Sequence, residues 1–411
     1  MSHFEPVAGW LALDQAGRSL PQGLYISDEA FAFDTQVMLK SVWLFACTVA
    51  HVKKPGDFYL FEMANASVII VRGRDGEVRA FHNSCAHRGA KICSQASGSG
   101  PRFTCPYHQW SYGLDGRLLA ARNMPDGFEK GANGLKPVAL ENIAGMIFIC
   151  LGDNPPQIGR AKAEIAEQVS LYNLDRLKVA VQEDMVHQAN WKLVMENNRE
   201  CYHCDANHPE LNKTFVPYGF DNDMPVSDAE SGYIAGQIAR WKDLGIYHDL
   251  IEFPEGGWHR VSRLPMAEGT YAATLDGQPA SRLPIWSVPE ADSSSLSVHT
   301  QPNSWHHFFC DHAVTFSLTP LGPDRTLLRT SWLVHEDAVE DVDYDRENLT
   351  AVWRATNHQD GHLAEINHAG IATDGYSQGY YSLDEGMVEA FKDFYVSHAR
   401  TALTATEGSA A

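Results

Sequence analysis

Two pairs of cysteine and histidine residues have the spacing of a metal site. Cys85 is followed after one residue by His87, and Cys105 after two residues by His108, with seventeen residues between the pairs. Two loops that face each other would bring together two thiolates and two imidazoles, which suits tetrahedral zinc or a [2Fe–2S] cluster with mixed ligands. Zinc fingers often have equal spacing within their ligand pairs, so the unequal spacing favours the cluster without excluding zinc.

A second group of possible ligands lies in one polar segment near the middle of the chain. Glu200 and His203 are three residues apart and would share one face of a helix. His208 would lie about 140° further round an ideal helix, so the helix must distort or end if both imidazoles bind one metal. Cys201 and Cys204 leave a zinc site as an alternative, but His203 between them would then have to point away from the metal.

A carboxylate that could complete this second site lies far along the chain. Two histidines and one carboxylate form the facial triad of non-haem iron(II) oxygenases. Asp360 lies on an otherwise largely apolar stripe of a predicted helix at 347–366, where a carboxylate is costly unless it is paired or bound to metal. Glu365 is rotated off this stripe and is the lesser candidate. The alternative is that Asp360 is an ordinary acid on the helix surface.

The elements that must position these residues can be read from the hydrophobic pattern. Short apolar runs between turn sequences predict strands around the first site, at residues 58–60, 66–71, 78–81, 102–104 and 146–151. The later chain predicts helices at 160–174, 190–207 and 347–366, strands at 313–317 and 327–334, and a frayed tail at 401–411. We therefore expect an α+β protein, with an antiparallel β-domain at 41–156 and a second domain formed by 1–40 and 157–411.

Composition narrows the class of protein. The chain has 411 residues, which suggests two domains, and its net charge of −20 argues against nucleic acid or an anionic membrane as a partner. No apolar run approaches the roughly 20 residues of a spanning helix, and the start of the chain does not resemble a secretory signal. The eight cysteines then indicate reduced thiols and metal ligands, with Cys93 a free thiol, in a cytoplasmic enzyme.

The first motif resembles the Rieske cluster motif. It continues with Arg-Gly after its first histidine and has a tryptophan two residues after its second. The resemblance implies a [2Fe–2S] cluster in which Cys85 and Cys105 bind one iron, while His87 and His108 bind the other. Two neutral imidazoles in place of two thiolates raise the reduction potential of such a cluster.

The second motif resembles the iron motif of Rieske-type non-haem iron oxygenase alpha subunits, and residues 357–360 resemble their distal carboxylate segment. The resemblance implies that His203, His208 and Asp360 bind a mononuclear Fe(II). It also implies an antiparallel β Rieske domain joined to a helix-grip catalytic domain with an antiparallel sheet.

One position departs from the family pattern. Most of the family has aspartate where this chain has Glu200. The implied role is an electron-transfer bridge from His203 to His108 of a neighbouring subunit, which in turn implies a homotrimer. Glutamate keeps the charge and the acceptor oxygens but adds a methylene, so we expect the bridge to survive with altered reach.

Four further segments resemble the quaternary-ammonium branch of these oxygenases, namely 198–204, 208–211, 332–339 and 342–345. That branch includes the glycine betaine and proline betaine (stachydrine) demethylases and, more distantly, carnitine and choline monooxygenases. The resemblance implies O₂-dependent N-demethylation of a small betaine with release of formaldehyde. Electrons would come from NADH through a separate flavin and iron–sulfur reductase. Proline betaine is preferred to glycine betaine because the overall resemblance to its demethylase is closer.

A methylammonium cation is recognised over aromatic faces. Segment 258–309 offers six candidates for the pocket wall, namely Trp258, Tyr271, Trp286, Trp305, Phe308 and Phe309. Arg260, Arg263 and His306 are candidates for binding the substrate carboxylate. Two alternatives stay open: an aromatic ring-hydroxylating dioxygenase alpha subunit with the same metals, and a zinc-bound binding or regulatory protein.

Overall fold

The structure, a computed structural model, describes residues 4–215, 227–251, 253, 257–288 and 292–408. The chain divides into two compact units. The smaller unit is Lys40–Gln157, and the larger unit combines the chain before it with the chain from Ile158 onward. The α+β fold class expected from the sequence is confirmed.

The smaller unit is built almost entirely from antiparallel strands. They are β1 (Leu44–Thr48), β2 (Asp57–Met63), β3 (Ala66–Arg72), β4 (Val78–His82), β5 (Ser97–Ser99), β6 (Phe103–Thr104), β7 (Ser111–Tyr112), β8 (Leu118–Ala120), β9 (Pro137–Ile143) and β10 (Met146–Cys150). Seven of them form a sheet in the order β1-β10-β9-β4-β3-β2-β5, and the other three form the sheet β6-β7-β8. Short 3₁₀ turns occupy Val49–Val52 and Lys130–Asn133. The five strands predicted around the first site are confirmed.

The core of this unit reaches the first site. Ile69, Val71 and Phe81 of the seven-stranded sheet pack in one buried cluster with Cys85 and Cys105. Each of these cysteines lies in a loop just after a strand, β4 or β6. The two thiols are therefore held by loops that the core anchors.

The larger unit contains one antiparallel sheet in the order β11-β16-β15-β14-β13-β12. Its strands are β11 (Leu177–His187), β12 (His259–Pro265), β13 (Ser294–Thr300), β14 (Ser304–Phe308), β15 (His312–Gly322) and β16 (Arg325–His335). The two predicted strands are confirmed within β15 and β16. Every residue of β12, β13 and β14 is buried, whereas the edge strand β11 has both buried and exposed positions. The half of the sheet that ends at the edge strand β12 is therefore covered on both faces.

Helices surround this sheet. They are α1 (Glu5–Ala12), α2 (Gln22–Ile26), α3 (Asp28–Phe33), α4 (Gly159–Val169), α5 (Trp191–Asn198), α6 (Cys204–Asn207), α7 (Asp228–Asp243), α8 (Arg346–Ile371) and α9 (Gly386–Gly408). A π-helical turn follows α3 at Asp34–Met38, and 3₁₀ turns lie at Ser170–Tyr172, Leu174–Arg176, Leu211–Lys213 and Leu383–Glu385. In the described ranges, we find no helix whose length and apolar content would let it cross a membrane.

The long helix α8 carries Asp360 and packs against α5 and β11. It begins where the Asp345 side chain accepts a hydrogen bond of 2.8 Å from the Asn348 backbone N–H, which caps the helix. Gly361 lies in its middle, where a Cβ atom would stand 2.2 Å from Nδ1 of the buried His187. Glycine is therefore required there by the close approach of this ring, although it weakens a helix.

Several predicted helix limits differ from the structure. The helix predicted at 160–174 ends at Val169, where two 3₁₀ turns follow. The predicted frayed tail is wrong as far as Gly408, because α9 continues through it and buries Ala402 and Leu403. Residues 409–411 lie outside the described residues.

Candidate metal centres

The four side chains of the first site divide into two buried thiols and two exposed imidazoles. Cys85 and Cys105 are buried, whereas His87 and His108 are exposed. The Nδ1 atoms of the two histidines lie 3.2 Å apart. The smaller unit thus brings its two loops together with sulfur donors inside and nitrogen donors at the surface, a donor set that can hold a [2Fe–2S] cluster.

Two aromatic side chains support these ligands. The Tyr112 hydroxyl lies 3.1 Å from Cys85 Sγ and accepts a hydrogen bond of 3.1 Å from the Ala86 backbone N–H. Burial and the neighbouring thiol raise the pKa of Tyr112 well above its usual value, so it stays protonated and can donate to the sulfur. The His87 ring stacks on Trp110 with a centroid distance of 4.8 Å. Cys93 is a free, buried thiol as predicted, and burial raises its pKa to about 11.

The second site lies where a helix is interrupted. The continuous helix predicted at 190–207 is wrong, because α5 ends at Asn198 and α6 begins only at Cys204. Glu200 and His203 lie in the break rather than on one helix face. The Glu200 carboxylate accepts hydrogen bonds from the backbone N–H groups of Tyr202 and His203, which stabilises the turn between the two helices. Because the helix is interrupted, the imidazoles of His203 and His208 can reach one point.

Three donor atoms converge at this break. His203 Nε2 lies 3.0 Å from His208 Nε2, and Asp360 Oδ1 lies 3.2 Å from the first nitrogen and 2.9 Å from the second. Two metal–ligand bonds of about 2.1 Å at a right angle separate their donor atoms by about 3.0 Å. The three donors therefore fit adjacent positions around one metal ion. Glu365 is not part of this group, because its carboxylate accepts a hydrogen bond of 2.9 Å from the Gln188 backbone N–H.

Each histidine of this group is oriented through its second ring nitrogen. Nδ1 of His203 is hydrogen-bonded to Glu200 Oε1, and Nδ1 of His208 lies 2.8 Å from Gln359 Oε1. The Gln359 amide in turn donates a hydrogen bond of 2.8 Å to Glu210 Oε2. Acceptors at Nδ1 hold the proton there and leave the Nε2 lone pair for a metal. Gln359 and Glu210 were not predicted from the sequence, although Gln359 directly precedes Asp360.

The electrostatics of the group favour positive charge. Burial lowers the pKa of His203, but hydrogen bonds to Asp360 and Glu200 outweigh burial and raise it to about 9. Burial likewise lowers the pKa of His208, and its hydrogen bond to Asp360 again outweighs this effect and raises the pKa. Burial raises the pKa of Asp360, but the two histidines outweigh it and lower the pKa. A bound divalent cation would supply the positive charge that these acceptors favour.

The zinc alternative at this segment is not supported. Cys201 and Cys204 are joined in a disulfide, so the two sulfurs are bonded to each other. The expectation that all eight cysteines are reduced is therefore wrong for this pair, while the other six are free.

A cavity of about 110 Å³ adjoins the three donors. Its wall includes the aromatic side chains of Phe215, His307 and Trp353. The His307 ring stacks on Trp353 with a centroid distance of 4.7 Å, and Phe215 stands edge-on to both rings at 5.6 and 6.0 Å. These three side chains were not identified from the sequence, because two of them come from segments far from β14.

Among the described residues, the cavity wall includes none of the predicted aromatic candidates and none of the predicted carboxylate-binding side chains. Those predictions, Trp258, Tyr271, Trp286, Trp305, Phe308, Phe309, Arg260, Arg263 and His306, are therefore wrong for this cavity. Trp286 and Phe308 instead pack around the buried Tyr172, with centroid distances of 5.2 and 5.3 Å. Arg263 donates to Tyr172 and to Gln168 in the same region.

Comparison with known proteins gives matches over both units. Residues 42–136 match the Rieske [2Fe–2S] domain, and residues 174–400 match the catalytic domain of ring hydroxylating alpha subunits. The chain is 42% identical over 394 residues to the glycine betaine monooxygenase oxygenase subunit of Chromohalobacter salexigens, covering 95% of this chain and 88% of that protein. It is 40% identical over 380 residues to the same subunit of Pseudomonas aeruginosa, covering 92% and 88%.

Solved structures share the fold. A quaternary ammonium Rieske monooxygenase in complex with L-carnitine superposes with a TM-score of 0.70 at 20% identity, covering 95% of this chain and 97% of that one. Naphthalene 1,2-dioxygenase from Rhodococcus bound to indole superposes with a TM-score of 0.65 at 16% identity, covering 97% and 99%.

Proposed function

Because this chain belongs to the ring-hydroxylating alpha-subunit family of Rieske non-haem iron oxygenases, we propose that it removes an N-methyl group oxidatively from a quaternary ammonium betaine. The family carries a Rieske [2Fe–2S] cluster and a mononuclear iron. The curated relatives in Chromohalobacter and Pseudomonas, which are 40–42% identical to this chain over the matched residues, are named for glycine betaine. Their names support the substrate class proposed here.

We assign the cluster to Cys85, Cys105, His87 and His108. The burial of the thiols, the exposure of the imidazoles and the hydroxyl beside Cys85 support this assignment. A cluster whose histidines lie at the protein surface can accept electrons from a separate protein. We propose that this donor is a flavin and iron–sulfur reductase that oxidises NADH.

We assign the mononuclear iron to His203, His208 and Asp360. The separations of 2.9–3.2 Å between their donor atoms support the assignment. When bound, the cluster supplies electrons one at a time and the iron activates O₂. Three protein ligands rather than four are what an open, reactive site requires.

The aromatic side chains in the wall of the cavity support the proposal that the substrate is a cation. Phe215, His307 and Trp353 line the cavity that adjoins the proposed iron ligands, and aromatic side chains attract a methylammonium group. Burial lowers the pKa of His307 to about 3, so the ring is neutral near neutral pH and does not repel a cation. Apart from His203 and His208, which are assigned to the metal, the charged side chains of the described cavity wall are acidic, namely Glu200, Asp205 and Asp360.

We propose the following reaction at this site. One oxygen atom of O₂ enters a methyl C–H bond beside the nitrogen, and the other leaves as water with two electrons and two protons. The resulting hydroxymethyl ammonium breaks its C–N bond and yields formaldehyde, a tertiary amine and a proton. The aromatic wall orients the methyl group during these steps, while Glu200 and Gln359 hold the His203 and His208 rings in place.

Glu200 has a second proposed role between subunits. We propose that it bridges His203 to His108 of a neighbouring subunit in a homotrimer, so that an electron crosses the subunit boundary. Glu200→Gln should then keep both metals but lose turnover, because the amide no longer carries the charge that links the two imidazoles. Full turnover in this variant, with both metals measured, would remove the bridge from the mechanism.

Product analysis with a reductase tests the proposed reaction. Glycine betaine should give N,N-dimethylglycine and proline betaine should give N-methylproline, each with one formaldehyde. The relatives favour glycine betaine, and the preference for proline betaine based on sequence resemblance stays a prediction, so the two kcat/KM values decide between them. A diol from naphthalene, without formaldehyde from either betaine, would instead support ring dihydroxylation.

A further inference from the structure

The disulfide between Cys201 and Cys204 brackets a proposed iron ligand. Its two cysteines stand on either side of His203 in the chain, and both contribute to the wall of the 110 Å³ cavity. Cys204 is buried and Cys201 is half-buried. Neither sulfur has a part in the reaction proposed above.

One of the sulfurs belongs to a second possible donor set. The Sγ atom of Cys204 and ring nitrogens of His203 and His208 all lie within 4.8 Å of one another. Thiolate and imidazole ligands together select Zn²⁺, whereas imidazole with carboxylate suits Fe(II). A sulfur in a disulfide has no thiolate charge to offer a metal. The bridged chain therefore offers the iron-type set with Asp360, and the reduced chain offers a zinc-type set as well.

We propose that the Cys201–Cys204 disulfide determines which metal this site accepts, because it withholds the Cys204 thiolate as a ligand. This inference rests on the proposed assignment of His203 and His208 as metal ligands. Reduction by a dithiol breaks the S–S bond, and two electrons and two protons pass to the cysteines while the dithiol becomes a disulfide. A thiophilic cation then binds the Cys204 sulfur as its proton leaves.

Little movement is needed for the exchange of ligands. The donor atoms are already within 4.8 Å of one another in the bridged chain, so closing the distance to one cation requires only a side-chain adjustment. The intact disulfide thus withholds the additional preference for zinc that a thiolate ligand would give this site.

Cobalt(II) reports the ligand type directly, since bound thiolate gives a near-ultraviolet sulfur-to-cobalt charge-transfer band. Cys201→Ser leaves the Cys204 thiol free, and Cys204→Ser is the matched control, because it also removes the disulfide but lacks the proposed donor. Thiol counting first shows whether the Cys201–Cys204 disulfide is present in each cluster-containing protein. Co²⁺ is then added, and the spectrum recorded before the addition is subtracted.

We expect the charge-transfer band in Cys201→Ser and not in Cys204→Ser or the bridged wild type. The Zn²⁺ to Fe²⁺ occupancy after exposure to both ions should likewise rise only in Cys201→Ser. Wild-type protein reduced with a phosphine tests the role of the Cys204 thiolate without a substitution. In this reduction the phosphine becomes its oxide, and water supplies the oxygen and the two thiol hydrogens.

Two identical Co²⁺ spectra for the Cys201→Ser and Cys204→Ser proteins, with unchanged metal occupancy, would overturn the inference. The cobalt measurement involves no substrate, so a failure of the proposed demethylation leaves its outcome untouched. Loss of Co²⁺ binding in His208→Ala shows separately that the ion occupies the assigned site. If His208→Ala binds Co²⁺ as the wild type does, the ligand assignment and the inference that rests on it both fall.

Discussion

A buried glutamate should give this protein a stability that falls as the pH rises. Glu196 lies on α5, and its carboxyl accepts a hydrogen bond of 2.8 Å from the Tyr25 hydroxyl. Burial raises the pKa of Glu196 to about 8, against smaller opposing effects of Tyr25 and Lys192. In the unfolded chain the same group ionises near its ordinary value. Its contribution to stability is therefore complete below the unfolded-state pKa and is lost as the pH rises through about 8.

The magnitude follows from the difference between the two pKa values. Each unit of difference corresponds to about 1.4 kcal/mol. Between about pH 6 and pH 8 the unfolded chain is already ionised at this position while the folded chain largely keeps the proton, so unfolding releases it and the free energy of unfolding falls by about 2 kcal/mol. Glu196→Gln keeps an acceptor for Tyr25 but cannot ionise, so it should lack this loss.

Thermal unfolding of wild type and variant across this pH range is the assay. From about pH 6 to pH 8, the melting temperature of the wild type should fall by a few degrees more than that of Glu196→Gln. Glu268→Gln, at an exposed glutamate, is the matched control and should follow the wild type throughout. If the Glu196→Gln and wild-type curves keep a constant separation over the range, Glu196 does not hold its proton in the folded chain and the reasoning fails.

Two further substitutions test packing in α8 and the environment of the cluster. Gly361→Ala should destabilise the larger unit by about 1–3 kcal/mol, because the new Cβ would meet the buried His187 ring at 2.2 Å. Gly370→Ala in the same helix has nothing within 4 Å of its Cβ and should be neutral or stabilising in the same thermal assay; equal losses in both variants would contradict the packing argument. Tyr112→Phe deletes a hydroxyl 3.1 Å from a cluster-site thiol and should lower the midpoint potential of the cluster by on the order of 50 mV in a redox titration followed by electron paramagnetic resonance. An unchanged potential would show that this hydroxyl does not donate to the sulfur.

The sequence pattern identified three residues whose donor atoms the structure brings together, but not the backbone that presents them. The spacing of His203 and His208 required a helix break, and the pattern could not locate it. The break follows Arg199, whose guanidinium is buried and donates to the backbone carbonyls of Thr300 and Ser304. Those carbonyls lie about a hundred residues away in the chain, so the contact that accompanies the end of α5 is tertiary and leaves no local signal.

The cavity wall was missed for a related reason. Aromatic residues are frequent in segment 258–309, and counting them does not tell which face of the sheet each occupies. Trp286 and Phe308 pack on Tyr172, while Phe215 and Trp353 reach the cavity from a turn and from α8. Five of the ten described strands of the smaller unit could be predicted, because turn sequences bound those apolar runs.

Formaldehyde release in a single turnover tests the central claim most directly. Iron-replete protein, chemically reduced and with both metal sites measured, would meet O₂ in the presence of glycine betaine, proline betaine, carnitine or naphthalene. We expect formaldehyde from a betaine in an amount close to the iron content, together with the matching tertiary amine. No formaldehyde from any betaine, with both metal sites filled, would contradict the assignment of this chain as an N-demethylating oxygenase.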